Sequence, residues 1–332
     1  MELFRHKTLR FYSIAVCFLS FLLVFWNSYR LFSSPLVPSH TQSAIIQVHR
    51  STSAHEFVQN LKTNNYISSS SLLLLIIRLE GLTHQLKAGV YQIKPGETAH
   101  QLLHRVVAGD VLRHNFTIIA GTRSLKIEQD MIQSPHLEYH PEDWNAIKKD
   151  HPNADGLLLA ETYQYRAGNT SRSILEQANQ DLINFLNSTW HSRAPNLPYK
   201  KPYDLLIAAS IIEKESASPE ERKLISGVLI NRLNKGMPLQ MDPTVIYALD
   251  NAYKGKLSHN DLMVDSPYNS YRYRGLPPTP IAMVGKESIL AAAQPQSSNY
   301  LYFVAKGDGS HQFSETYIQQ RQAISQYQHK GA

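Results

Sequence analysis

Cysteine is all but missing from this 332-residue chain, because Cys17 stands alone inside an apolar N-terminal run. An intrachain disulfide and a cysteine-held metal are therefore excluded, and the compartment cannot be read from thiol usage. Motifs that announce other chemistries are absent too. No GxSxG elbow, Walker sequence or GxGxxG loop occurs, so serine-hydrolase, kinase and dinucleotide readings have no support. No HExxH, paired-histidine or cysteine pattern stands out as a metal site, and neither a metal nor a cofactor is expected. The formal charge of +6 comes from scattered lysines and arginines rather than a basic arm, so no nucleic-acid partner is expected.

What is present begins with a basic stretch, MELFRHKTLR, carrying Arg5, Lys7 and Arg10. FYSIAVCFLSFLLVFW follows, sixteen residues without a charge. A membrane span needs about 20 apolar residues, and NSYRLF extends the run with Trp26, Tyr29 and Arg30 as interfacial anchors. A basic flank stays cytoplasmic and places the rest of the chain outside. No small-x-small cleavage site follows, and Val16 stands where a lipoprotein signal would need a small residue, so residues 1–32 are expected to be an uncleaved anchor.

Residues 33–44, rich in Ser and Pro, read as a linker. A compact unit is expected over 45–110. Ser53 and Glu56 have capping-box spacing ahead of Phe57, Val58 and Leu61, and SSSSLLLLIIRLEG reads as a second, buried helix too short to span a membrane. A strand ending at Ile93, a Pro-Gly turn and a helix from about Thr98 resemble part of a LysM-like glycan-binding module. From 111 to 332 the pattern is that of a larger α+β domain. RHNFTIIAG alternates as a strand, and helices are expected at 124–132, 171–187, 203–216 and 219–234. Ser218, Pro219 and Glu221 predict a capping box opening the last of these, and Gly236 its stop.

The stretch LLIAASIIEKES carries the chemistry. Leu205, Ala208, Ile211 and Ile212 share a helix face, and Glu215, three and four residues beyond the last two, falls on that same stripe. Glu213 falls toward its edge. A carboxyl drawn into an apolar setting has its pKa raised and can serve as a proton donor.

Later clusters each have a bland reading beside a functional one. Gln240 and Asp242 precede a Pro-Thr helix start, where an Asp is most often a simple cap. SPYNSYRYRGLPPTPI gathers Tyr268, Asn269, Tyr271 and Tyr273 among prolines, a composition suited to stacking on sugars or to packing under a long loop. YLYFVAKGDGSHQF reads as a hairpin delivering His311 and Phe313, and a lone histidine there is more often structural.

In this order, ASIIEKES, SGVLINRL, PLQMDPTVIYAL, GKLSHNDL, SPYNSYRYRGLPPTPI and YLYFVAKGDGSHQFSET closely resemble the endolytic murein transglycosylase, or YceG-like, family over about residues 45 to 320. ADGLLLAETYQY is similar to a further family element, from which Asp155, Ala160 and Glu161 depart. The resemblance implies an inner-membrane, single-pass protein with a periplasmic catalytic domain that cuts peptidoglycan strands internally. It implies Glu215 as the catalytic residue, and Asn231, Gln240, Asp242, Tyr268, Asn269 and His311 as cleft residues. Peptidoglycan strands are the implied partner, with peptidoglycan synthases and division proteins as candidate companions. The competing readings are a non-catalytic peptidoglycan-binding scaffold, and a two-carboxylate muramidase with Asp242 or Glu161 as the second acid.

Overall fold

The computed structural model describes residues 2–38, 43–215 and 218–328. Helix and sheet are mixed at 48% and 11%, and the strands pair only two by two, so helices supply most of the cores. The chain forms two compact units, one of Met1–His114 with Arg166–Gly168, the other of Asn115–Tyr165 with Asn169–Ala332.

The first unit opens with α1 (Glu2–Ser33). Its segment Val16–Ser33 is long and apolar enough to cross a membrane and only 6% of it is buried. β1 (Ala44–Val48), α2 (Ala54–Thr63), α3 (Ser70–Leu79), β2 (Gly89–Ile93) and α4 (Ala99–Ala108) follow. β1 and β2 pair antiparallel with Ile46 opposite Tyr91. The expected capping box closes at Ser53 and Glu56, and a second forms at Thr98 and Gln101. Phe57, Val58 and Leu61 meet Leu102, Leu103 and Val106 in one core. The leucine-rich α3 packs on this core along one face. Leu73 and Ile77 are fully buried, Leu72, Leu74 and Ile76 pack partly buried against the same core, and Leu75 and Leu79 are exposed, because a helix lying on a small core has just one face to bury. Within the Ser/Pro stretch, Val37 is buried and the Leu36 N–H donates to the Glu97 carbonyl at 2.7 Å. Residues 39–42 of that stretch lie outside the described residues.

β3 (Arg113–Thr117) pairs with β4 (Thr162–Arg166), most of each strand belonging to the second unit, with α5 (Ser124–Ile132) and α6 (Asp143–Lys148) between them in sequence. Then come α7 (Ser171–His191), α8 (Pro202–Glu215), α9 (Pro219–Asn234), α10 (Asp242–Leu249) and α11 (Lys286–Ala293). The hairpin of β5 (Tyr302–Ala305) and β6 (His311–Ser314) precedes α12 (Tyr317–Gln328). Every residue of α8 from Leu205 to Ile212 is buried. α7, α9 and α11 surround it, and the small side chains Ala291–Ala293 let α11 come close. Gly227 of α9 is needed for similar reasons: a Cβ there would stand 2.4 Å from the Gln296 carbonyl oxygen. Ser218 and Pro219 begin α9 as expected, but the predicted capping box does not form. Glu221 instead turns to the hairpin, accepting the His311 backbone N–H at 2.9 Å and facing its Nδ1 at 2.7 Å.

Candidate active site

The site is built where α8 runs out. Glu213 is more deeply placed than its expected position at the edge of a stripe, with a side chain only 5% exposed. A helix enclosed on every side has no polar face for that edge to adjoin. Glu213 accepts the Gly285 N–H at 2.9 Å and a guanidinium N–H of Arg222 at 3.3 Å. Lys214 points outward and donates to the Gly121 carbonyl at 3.2 Å. Glu215 is partly buried, and among the described residues its carboxyl has no hydrogen-bond partner. Burial pushes its pKa up to about 8, the Asp242 charge adds to the rise, and Arg232 opposes both.

Arg232, on α9, is 6% exposed. Its Nε donates to the Leu301 carbonyl at 2.6 Å, and its Nη1 reaches the carbonyls of Pro238 and Leu239 at 3.1 and 2.7 Å and Gln240 Oε1 at 3.1 Å. The guanidinium also lies 5.1 Å from the centroid of the Tyr302 ring. Gln240 adopts φ of 51°, a left-handed conformation uncommon outside glycine, and its N–H is anchored on the Ser270 carbonyl at 3.0 Å.

Asp242 is not the simple cap its sequence position suggests. Met241 occupies the cap position of α10, and no side chain caps that helix. The Asp242 carboxylate instead accepts the Tyr271 hydroxyl at 2.5 Å, and burial together with this contact raises the Tyr271 pKa. Asn269 supports the backbone of the loop that carries Tyr271. Fully buried, it donates to the carbonyls of Leu262 and Val264 and accepts the Tyr271 N–H at 3.0 Å, folding the tyrosine-rich loop.

Glu215, Gln240 and Asp242 are thus brought into one group through Arg232 and Tyr271. The other expected residues have different engagements. Asn231 donates to the carbonyls of Ser298 and Tyr300 at 2.8 and 2.9 Å. Tyr268 packs on Tyr247 with ring centroids 4.8 Å apart and shares a hydrogen bond with Thr279. His311 is held by Glu221. Glu161 pairs with Lys286 at 2.8 Å, and Asp155 is a buried acceptor for Ser124 and Tyr247.

The sequence pattern of the YceG-like family matches residues 46–326. This chain belongs to the YceG-like family. It is similar to the endolytic murein transglycosylase of Bacillus subtilis, 29% identical over 85% of this chain and 84% of that one. Endolytic murein transglycosylases from two Streptococcus pneumoniae strains are 35% and 36% identical over 46% of this chain and 28% of theirs. The crystal structure of a YceG-like protein of Listeria monocytogenes matches with a TM-score of 0.53 and 27% identity, over 84% of this chain and 98% of that one.

Two members of the group in this YceG-like chain escaped sequence reasoning. Arg232 lies three, four and seven residues beyond Leu229, Val228 and Ile225, all fully buried, so the stripe argument applied to Glu215 would have found it. Tyr271 had no such signal, since three tyrosines crowd one loop and only the Asn269 contacts select among them.

Proposed function

We propose that this chain is a membrane-anchored endolytic lytic transglycosylase that cleaves the MurNAc-β-1,4-GlcNAc bond within peptidoglycan strands, with Glu215 as acid and then base. The observation that carries the reading is a carboxyl without a hydrogen-bond partner among the described residues, whose pKa of about 8 keeps it largely protonated near neutrality. The name shared by the relatives, endolytic murein transglycosylase, supports the substrate.

Glu215 gives its proton to the glycosidic oxygen as the bond to the anomeric carbon of muramic acid breaks. The carboxylate so formed takes the proton from the C6 hydroxyl of the same sugar, and that oxygen bonds to the anomeric carbon. No water is consumed, and Glu215 ends protonated as it began. An intramolecular hydroxyl has a high effective concentration, so a single nearby base suffices. Arg232 steadies Glu215 while it is ionised, and the Asp242 charge favours its return to the acid form. Gln240 and Asp242 are the nearest candidates for glycan contact. Asn231, Tyr268, Asn269 and His311 hold the surrounding loops.

A two-carboxylate muramidase is the second reading, favoured by the electrostatic coupling of exposed Asp242 to Glu215. A hydrolase needs a second carboxylate at a defined separation to bear the nucleophile or activate water. Mass spectrometry of sacculi digested by the full chain decides between them. Fragments ending in 1,6-anhydro-muramic acid are expected; reducing ends that incorporate oxygen from labelled water would establish hydrolysis.

The exposed apolar Val16–Ser33 segment supports an inner-membrane anchor, N-terminus cytoplasmic and the chain beyond the anchor periplasmic. The unit around β1 and β2, with its own core, supports the LysM-like reading. It carries a groove of about 340 Å³ bordered by Gln47, His49, Arg50, Thr52 and Asn60 that suits a polar glycan. An enzyme so tethered acts on strands close to their site of synthesis, which fits a role in ending strand growth beside synthases and division proteins.

A further inference from the structure

The expectation that no metal is bound passed over one spacing. In AHQLLH, His100 and His104 stand four residues apart, on one face of α4. Glu80, which ends α3, faces both. Glu80 Oε1 lies 3.0 Å from His100 Nε2, Glu80 Oε2 lies 3.2 Å from His104 Nε2, and the two Nε2 atoms are 3.1 Å apart. Phe32 walls the cluster on one side, its ring centroid 4.6 Å from that of His100.

With Glu80 ionised, no arrangement of protons on the two neutral rings satisfies all three contacts. A neutral imidazole nitrogen carries either a hydrogen or a lone pair. With hydrogens on both Nε2 atoms, each can serve the carboxylate, but two N–H groups then confront each other at 3.1 Å. With a hydrogen on one ring only, the other ring presents a lone pair to a carboxylate oxygen. With none, every contact is repulsive. Three lone pairs converging on a cation remove the conflict. The edges also have a suitable size, since zinc–nitrogen bonds of 2.0–2.1 Å in a tetrahedron imply ligand separations of about 3.3 Å.

We propose that Glu80, His100 and His104 form a site for a divalent transition metal of the zinc class. Two imidazoles and one carboxylate are a donor set suited to zinc, copper or nickel rather than to magnesium or calcium. His104 is about half exposed, so the fourth coordination position opens to water or to a donor from another molecule. The bound ion clamps the end of α3 to α4 within the first unit. This site is independent of the Glu215 chemistry and of the reading given to it.

The test uses the untagged full chain in detergent, with Co²⁺ as a visible probe. One equivalent is expected to give the intense absorption of tetrahedral cobalt, displaced by Zn²⁺. His104→Ala and Glu80→Gln should each weaken binding at least tenfold. Both side chains are exposed enough that the metal-free variants should melt where the parent does, whereas His191→Ala, remote in sequence, should leave the signal intact. Absence of the absorption, or its persistence in a His100→Ala/His104→Ala double variant of unchanged melting temperature, would overturn the site. Sacculus cleavage, read in parallel, reports separately on Glu215.

Discussion

The last turn of α8 and the first turn of α9 both carry glutamates, and their surroundings set them apart. Glu213 is closed by Arg222 and the Gly285 N–H, and Glu221 grips the backbone and ring of His311. Glu215, between them in sequence, faces another carboxylate and a cation that is bonded elsewhere. A partnered carboxylate joins segments that are remote in sequence. One without a partner keeps a proton that can leave and return. The two kinds stand two residues apart on one helix.

Exchanging these glutamates tests the distinction most severely. Glu215→Gln should lower glycan release from sacculi by about 10²–10⁴-fold, the usual weight of a general acid or base, without loss of fold by circular dichroism. Glu213→Gln should do the reverse. It strips an anion from a buried pair and should cost roughly 1–3 kcal/mol in denaturant unfolding, while folded protein keeps most of its activity. Were Glu213→Gln the inactive, stable variant, the assignment of roles would be inverted.

Stability against pH sharpens the contrast. A carboxyl with pKa 4.5 unfolded and about 8 folded binds more protons in the folded state between those values, so its contribution is present at low pH and lost as pH rises through 8. The parent should therefore lose roughly 3–4 kcal/mol relative to Glu215→Gln between pH 5 and pH 8. A constant difference would mean that Glu215 is ordinary. The finest effect is expected from Asp242→Asn. Removing that charge lowers the Glu215 pKa, so the alkaline fall of kcat/KM should move to lower pH. An unmoved limb would show that Asp242 acts by contact and not by field.

Much of this was legible in the chain because it is written locally. Capping residues, the Pro-Gly turn and the apolar periodicity marked α2, α4, α5, α8 and α9, and the ordered motifs marked the family. What resisted reading depends on partners distant in sequence. Asp242 looks like a cap until Tyr271 arrives from a loop 29 residues on. Glu221 looks like half of a capping box until the hairpin brings His311 across 90 residues. The burial of Glu213 follows from Arg222 of α9 and the Gly285 N–H ahead of α11 meeting its carboxylate, which no periodicity within α8 records.

Arg232 has a further consequence. Its Nε and Nη1 are engaged by the carbonyls of Leu301, Pro238 and Leu239 and by Gln240, which holds the guanidinium in place before a glycan arrives. Its field at Glu215 is in place before substrate binds, and the reorganisation that water would undergo around a newly formed carboxylate is largely avoided. Mobile ions cannot crowd around a guanidinium buried to this depth, so added salt should weaken the field of exposed Asp242 at Glu215 while leaving that of Arg232 almost untouched.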